Sequence, residues 1–483
     1  MALDRIWSRH EPLLVLVALP PLVLRERFPP WAQALALAWL ALPWLARRAR
    51  TGRWTVPTVL DPVALALLCT LPGTIHAATQ SAPDVGLAAA VSRAESLVFA
   101  MALAYAMANW VRTPRRAWLA AGGLLLASLA LVAFGLVGVD WLPKVPALSP
   151  LLDRLPRLVG AVPHATLPAY GQAAEVTIHP NSVAALAILF VPLALACLAW
   201  PARSPRDDTP TPSAPPSPAP SPPPPAVLGE RVGGWGPAGA PPRWLRPLAA
   251  AALAATLPFL VLTQSRGAWL GLAAAMVGMA AVRWKPVRAA LAGAGATAVV
   301  LAALVGPAQI VARIAAGGLP GAESAGGRLR LWQEALALVH AHPVWGIGLN
   351  TFVVVHGRRP EYGGAYVYQG APHAHNTLLQ AALDYGLPGF VAVVGLYAAL
   401  FAAAWRAHRR LAGTPLDAVV IGLAFGLLAH AAHGLVDAVA IGGKIGFVPW
   451  ALAGALAGIR ARAHRWVGEA SVTGQRPVPA SPS

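Results

Sequence analysis

The feature that most constrains this chain is a succession of long apolar segments, each close to the length that crosses a lipid bilayer. A membrane-spanning helix needs about 20 mostly apolar residues. Twelve such segments are found at 12–24, 31–46, 58–78, 88–110, 117–139, 181–200, 247–264, 267–282, 289–306, 377–404, 415–437 and 445–460. This series predicts an all-α polytopic membrane protein with about twelve transmembrane helices.

The composition excludes the other broad classes of protein. Only 12% of the 483 residues are charged and 57% are hydrophobic, whereas about 25% of residues are charged in soluble chains. The 56 charged residues cannot cover the surfaces of several soluble domains. Cys69 and Cys197 both lie in apolar runs, so a disulfide framework is excluded. The apolar content argues against disorder, and no collagen or heptad repeat is present.

Basic residues are concentrated in alternate connections between the apolar segments. The arginine clusters lie at 47–53, 112–116, 203–206, 283–288, 406–410 and 460–465. Cytoplasmic loops carry an excess of Lys and Arg, so both termini are predicted to be cytoplasmic. Much of the formal net charge of +18 therefore reports orientation in the membrane, and nucleic-acid binding is not indicated.

The apolar segments fall into two membrane halves separated by a proline-rich segment. Residues 1–200 form an N-terminal half of about six spans, and residues 247–465 form the C-terminal half. Between them, residues 201–225 contain 12 prolines, which predicts an extended, disordered cytoplasmic linker over 201–246. We interpret it as a spacer in preference to a ligand of a proline-recognition domain. The tail at 466–483 is also predicted to be disordered.

Two long loops, 140–180 and 307–376, are predicted on the opposite side of the membrane. The second is large enough to contain short helices, one of them at Arg328–His342. Its apolar residues recur at three- and four-residue spacing and are Leu329, Trp332, Leu336 and Val339. We expect this helix to lie on the membrane interface, with Trp332 near the headgroups.

Selected polar residues on this external side suit an anionic, lipid-linked substrate. Arg266, Arg328 and Arg330 are candidates because guanidinium groups bind phosphate in a bidentate manner. Histidine accepts a proton near neutral pH, so a neutral histidine on this side suits the role of a base. Transfer of a group from a diphosphate needs both kinds of residue. The alternative is that the arginines are interfacial anchors or solvated loop residues.

His373 and His375 form an H-x-H pair that would bind a metal if both rings pointed the same way. Three observations argue against a metal. No cysteine is nearby, the adjacent acidic pair Asp207-Asp208 lies in the predicted cytoplasmic linker, and Glu361 is the only carboxylate within twenty residues upstream. We expect no metal and no cofactor.

Several motifs in the second half of the chain occur in a fixed order. They are Thr263–Leu270 (TQSRGAWL), Gly327–Trp332 (GRLRLW), His342–Leu349 (HPVWGIGL), and His375-Asn376 followed after nine residues by Gly386-Leu-Pro-Gly389. The last resembles an H-[NSQ]-x9-G-x-x-G signature, and His179-Pro180-Asn181 is similar to an earlier P-N element. Together these motifs resemble the O-antigen ligase family, which includes related polymerases and bacterial protein O-oligosaccharyltransferases.

The resemblance implies a GT-C-like glycosyltransferase of the bacterial inner membrane with a large periplasmic loop. Such enzymes move a glycan from undecaprenyl diphosphate to a hydroxyl on a second molecule. By this resemblance Arg266 and Arg328 would bind the diphosphate and His375 would be the catalytic base. Arg330 and Asn376 would assist or position the substrate. No metal is implied, because the arginines replace it at the leaving group.

The acceptor separates the branches of this family. It would be lipid A–core in a ligase, a second lipid-linked repeat unit in a polymerase, and a Ser or Thr in a protein oligosaccharyltransferase. The signature favours the ligase. From another class, a flippase or transporter of lipid-linked glycans would place ionisable residues near mid-membrane and show repeat symmetry. The intramembrane candidates are few and lie mostly near predicted span ends: Arg93, Glu95, Asp437 and Lys444.

Overall fold

The structure is a computed structural model, and it describes residues 10–23, 27–139, 166–168, 175–177, 179–199, 240–294, 322–358, 373–439, 441–443 and 445–472. The helices are α1 (Leu19–Val23), α2 (Pro30–Thr51), α3 (Asp61–Ser81), α4 (Gly86–Trp110), α5 (Pro114–Gly138), α6 (Pro180–Ala187), α7 (Val191–Ala199), α8 (Leu245–Thr263), α9 (Arg266–Arg283), α10 (Ala322–Ala341), α11 (Phe352–Arg358), α12 (Thr377–Leu411), α13 (Leu416–His433) and α14 (Phe447–Val472). Two strands, β1 (Thr166–Pro168) and β2 (Glu175–Thr177), pair antiparallel. Residues 10–16 and 285–294 are also helical.

Seven of the described helical segments are long and apolar enough to cross a membrane: α3, α4, α5, the joined α6 and α7, α8, α12 and α13. Each corresponds to a predicted span. Helices also occupy the predicted spans at 31–46, 267–282 and 445–460, but α2, α9 and α14 carry arginines at or near their ends. The span at 12–24 is divided between 10–16 and α1, and the span at 289–306 continues outside the described residues. The protein is therefore a mainly helical, multi-pass membrane protein, and the count of twelve spans stays a prediction.

Pairs of glycines four residues apart bring several helices into backbone contact. Helices in lipid associate without a hydrophobic driving force, so close packing depends on small residues. A Cβ at Gly458 of α14 would lie 2.9 Å from the Ala108 carbonyl oxygen of α4, and one at Gly454 would overlap the Ala104 carbonyl. α14 and α4 therefore touch along a surface that larger side chains would separate.

Glycines likewise allow α13 to pack closely between α7 and α9. On one side, a Cβ at Gly422 would lie 2.6 Å from the Cα of Leu193 in α7. On the other side, a Cβ at Gly271 of α9 would overlap the Ala429 carbonyl oxygen of α13. α13 also packs on α12 and α14. This central helix is consequently fixed in position relative to the chain segments that surround it.

A glycine-rich turn and a kink in α12 fit into one another. Ile347 donates a backbone hydrogen bond to the Leu383 carbonyl at 2.9 Å, and Leu387 donates one to the Pro343 carbonyl at 2.8 Å. Gly386 has φ 70° and ψ −172° inside the helix, a conformation open essentially to glycine alone. A Cβ there would overlap the Val344 carbonyl oxygen. The first glycine of the H-[NSQ]-x9-G-x-x-G signature is therefore required by packing.

The predicted amphipathic helix is present as α10, but its buried face differs from the prediction. Leu331, Ala335 and Leu338 are buried together with Val339 of the predicted apolar face, whereas Leu336 of that face is 54% exposed. The reason is that α10 packs against the turn after it and against α12, in a cluster that includes Ile347 and Leu383. The sequence pattern alone assigned the stripe to the membrane interface.

The remaining domain predictions lie mostly outside the described residues. These include most of the loop 140–180, residues 201–239 of the linker, parts of the loop 307–376 and residues 473–483 of the tail. α14 extends to Val472, which is beyond the predicted start of the disordered tail at 466.

We predict that Gly386→Ala lowers the free energy of unfolding by about 1–3 kcal/mol from its backbone conformation alone, with a further cost from overlap with Val344. Gly395→Ala in the same helix is the matched control, because a Cβ at Gly395 meets no atom within 4 Å and alanine favours a helix. Thermal unfolding of the detergent-purified variants measures both effects. Equal melting temperatures would contradict the proposed fit of the turn and the kink.

Candidate active site

The segment before α12 and the segment after α13 meet at one end of the helices. Thr377 donates its backbone N–H to the Gly434 carbonyl at 2.6 Å. The Asn376 side chain accepts from the backbone N–H groups of Leu378 and Leu379 and donates to the Leu435 carbonyl at 3.1 Å. Asn376 thus caps α12 and links it to the segment after α13. Both ends of its amide are engaged with backbone, and the role in assisting or positioning the substrate that the resemblance implies stays a prediction.

His375 is hydrogen-bonded to Asp437, which lies sixty-two residues later in the chain. The His375 Nδ1 atom is 2.9 Å from Asp437 Oδ1. The backbone of His375 is left-handed, with φ 47°, which is uncommon outside glycine. The other Asp437 oxygen accepts from the Asn181 amide at 3.3 Å, and Oδ1 also accepts from the Ala438 N–H at 2.8 Å. Three donors therefore fix the carboxylate and, through it, the imidazole.

The electrostatics of this pair favour an ionised carboxylate. Burial by itself raises the pKa of Asp437, but the hydrogen bond from His375 and the nearby His373, His375 and His433 hold that pKa below its usual range. An ionised Asp437 accepts a hydrogen bond from the Nδ1–H group of His375. The opposite nitrogen, Nε2, then carries the lone pair of a neutral imidazole. This is the arrangement that a general base needs.

His373 is the less suitable base of the two histidines. Burial, followed by the effect of neighbouring His375, lowers the pKa of His373 to about 3. Its Nδ1 accepts the His375 backbone N–H at 3.2 Å, so this ring supports the His375 backbone.

His373, His375 and Asp437 offer ligand atoms that all lie within 4.8 Å of one another. Zinc binds these ligand types. Glu361 is the only carboxylate close before the two histidines in the sequence, but the fold brings Asp437 next to them. Its oxygens already accept hydrogen bonds from three N–H donors, which a metal would have to displace. The absence of a metal stays a prediction.

Ala374, between the two histidines, is fully buried and is held through both of its backbone polar groups. Its N–H donates to the Gln380 side-chain oxygen at 2.9 Å, and its carbonyl accepts from the Trp332 indole at 3.0 Å. The Gln380 amide in turn donates to Asp384 at 2.9 Å. Trp332 was expected near the headgroups. Its indole N–H instead forms a hydrogen bond that connects α10 to residues 373–375, the histidine segment.

Residues 373–376 and 433–437 together form the corner that contains His375. Two of the three predicted arginines begin helices, or lie on helices, that contact this corner. Arg328 is one turn before Trp332 on α10 and interacts electrostatically with His433. Arg266 is the first residue of α9, directly after the N-cap Ser265, and the next residue, Gly267, packs against His433. The start of α9 and the Arg328 side chain of α10 therefore both lie near the end of α13, while the Arg266 side chain itself is exposed.

Arg330 does not share the face of Arg328. Residues two positions apart on a helix point in nearly opposite directions, and Arg330 is exposed whereas Arg328 is half-buried. The structure thus separates a residue that the resemblance places in an assisting role from the corner that contains His375.

Sequence reasoning missed the partners that organise His375. Asp437 was considered only as an intramembrane ionisable residue, and Asn181 only as part of a P-N element. Gln380 gave no signal, because a lone glutamine in an apolar segment resembles any buried polar residue. The sequence offered one indication that Asp437 is a partner of His375. Asp437 ends a predicted span on the same side of the membrane as the histidine.

The sequence finds no match among curated proteins. The family model described as O-antigen ligase matches residues 251–394. The matched range contains Arg266, Arg328 and His375, while Asp437 and Asn181 lie outside it. The resemblance carried by the motifs is thereby confirmed: residues 251–394 of this chain match the O-antigen ligase family.

Proposed function

We propose that this protein transfers a glycan from undecaprenyl diphosphate to an acceptor hydroxyl, and that the acceptor is lipid A–core. The observation that carries the proposal is the His375–Asp437 pair at 2.9 Å, with Arg328 of α10 and the start of α9, which carries Arg266, near the end of α13. A base close to guanidinium groups suits departure of a diphosphate. The family match supplies the reaction class.

In the proposed reaction His375 Nε2 accepts the proton of the acceptor hydroxyl. The hydroxyl oxygen attacks the anomeric carbon of the glycan, and the bond from that carbon to the diphosphate oxygen breaks. The diphosphate leaves with the electron pair, and Arg266 and Arg328 bind its charge. Asp437 keeps the imidazole in the required tautomer and stabilises the imidazolium that forms.

We propose that no metal takes part, because the two guanidinium groups supply the positive charge at the leaving group. The hydrogen bonds that His375, Asn181 and Ala438 donate to Asp437 support this assignment, since they occupy the carboxylate that a metal would need.

We further propose that the protein lies in the bacterial inner membrane with both termini cytoplasmic and the site periplasmic. The positive-inside rule supports this orientation. α12 runs from the site at Thr377 to a basic end at His408, Arg409 and Arg410, which is the cytoplasmic end by that rule. The site and the arginine cluster are therefore at opposite ends of one helix.

His375→Ala should lower the transfer rate roughly 10²–10⁴-fold, because a positioned general base contributes about that much. Arg266→Lys should be nearly as damaging, since an ammonium cannot reproduce the planar fork. The exposed His340 of α10 provides the control variant His340→Ala, which should be fully active. Rates are measured with purified protein in liposomes containing lipid-linked glycan and acceptor. Normal transfer by His375→Ala would exclude the catalytic role.

Asp437→Asn should lower kcat by about 10²-fold or more with little change in KM for the donor lipid, because an amide favours the wrong tautomer of His375. A second pair, His408 with Asp417 at 2.8 Å, lies at the other end of α12 and α13. Asp417→Asn makes the same chemical change away from the site and should leave kcat unchanged. Similar kcat losses in both variants would show that Asp437 acts only on stability.

Deletion of the gene and examination of the surface glycan tests the acceptor. We expect long glycan chains to disappear from lipid A–core while lipid-linked polymer accumulates. A single repeat unit on the core would instead indicate a polymerase, and unchanged lipopolysaccharide with a protein that loses mass would indicate protein glycosylation. Lipid-linked units retained on the cytoplasmic leaflet would indicate a flippase.

A further inference from the structure

His433, the last residue of α13, is a buried side chain with unsatisfied polar atoms. It is 1% exposed, and neither ring nitrogen has a hydrogen-bond partner among the residues that the structure describes. A buried polar group without a partner is costly, and such groups in native proteins usually have a reason. His430, one turn earlier, is also buried, but its Nδ1 has a partner in the Ala185 carbonyl at 3.3 Å.

The edge of the His433 ring lies against the first turn of α9. A Cβ at Gly267 would be 3.2 Å from His433 Cδ2 and 3.4 Å from Nε2, and one at Gly271 would be 3.2 Å from His433 Cβ. Glycine at both positions therefore admits the imidazole between α9 and α13. Nε2 is thereby placed beside the residue that follows Arg266.

Three features of this corner favour an anion. Arg266 begins α9, and the N-terminus of a helix attracts negative charge. His433 interacts electrostatically with the Asp437 carboxylate and, from α10, with Arg328, whose positive charge offsets that of the carboxylate. His433 adds ring nitrogens that have no hydrogen-bond partner among the described residues, with Nε2 beside Gly267. Arg328, the start of α9 and the His433 imidazole therefore lie together where the proposed function needs the diphosphate to bind.

We propose that His433 is a third diphosphate-binding residue, donating a hydrogen bond from Nε2–H to a phosphoryl oxygen that Arg266 and Arg328 also bind. This inference rests on the proposed function. A neutral imidazole adds a donor at the buried side of the corner without the desolvation cost of a third charge. Substrate binding then satisfies a donor that is unsatisfied in the free protein.

The decisive variant is His433→Phe, which keeps a planar ring and removes both polar atoms. If His433 only fills space, this variant retains transfer. If it binds the diphosphate, the rate at low donor concentration falls roughly 10- to 100-fold, the effect expected for a lost hydrogen bond to a charged group. The melting temperature of the variant without ligand should be equal or higher, because an unsatisfied buried group is removed.

A binding measurement separates this inference from the proposed reaction. Inorganic pyrophosphate should raise the melting temperature of the wild-type protein, and His433→Phe should reduce that shift. His430→Phe is the matched control: it removes a hydrogen-bonded histidine, so it should lower the melting temperature but keep the pyrophosphate shift. His433→Gln retains an N–H donor and should recover part of the shift, which keeps the test valid if His433→Phe does not fold.

The outcomes are distinct. A full pyrophosphate shift and normal transfer in His433→Phe would overturn the role of His433 and leave the proposed function intact. A wild-type protein that neither binds pyrophosphate nor transfers glycan would overturn both. Loss of shift and transfer in His433→Phe, with partial recovery in His433→Gln, would establish the inference.

Discussion

The close approach of α9 to α13 is the constraint on which the candidate site depends. Gly267 and Gly271 leave room for the backbone and the His433 ring of α13 to touch α9. Lipid provides no hydrophobic force to push these helices together, so contact requires that nothing stands between them. The same contact brings Arg266, at the start of α9, to the end of α13. The packing of Gly267 and Gly271 against α13 therefore determines where the first residue of α9, Arg266, lies.

The glycines of the recognised signature have a mechanical role in the fold. Gly386 allows α12 to kink, and the kink accepts the turn at 343–348 through two reciprocal backbone hydrogen bonds. α12 begins directly after the histidine segment, and the turn directly follows the helix that carries Arg328. A rigid junction between these two elements fixes the distance from the arginine to the base. Conformation, and not reactivity, explains why glycine occupies position 386.

The proposed base and two side chains next to it are hydrogen-bonded within the protein itself. His375, Asp437 and Asn376 each have defined partners, and Ala374 is held from both sides. Such preorganisation avoids reorganisation when charge develops during a reaction. His433 is the contrasting case in the same corner, buried with both ring nitrogens unpaired among the described residues. The site thus combines a hydrogen-bonded base, His375, with His433, whose ring nitrogens have no partner among the described residues.

The sequence by itself determined the class of fold, most of the membrane helices and the resemblance of one stretch of the chain to the O-antigen ligase family. These follow from local properties: the length and hydropathy of each apolar run, and motifs read along one stretch of chain. It also indicated Arg266, Arg328 and His375, since each lies within a motif. Only the tertiary structure decided that Asp437 and Asn181 hold His375, that Trp332 contacts Ala374 and that Arg330 points elsewhere. Those contacts join segments far apart in the chain, and their geometry depends on how closely the helices pack.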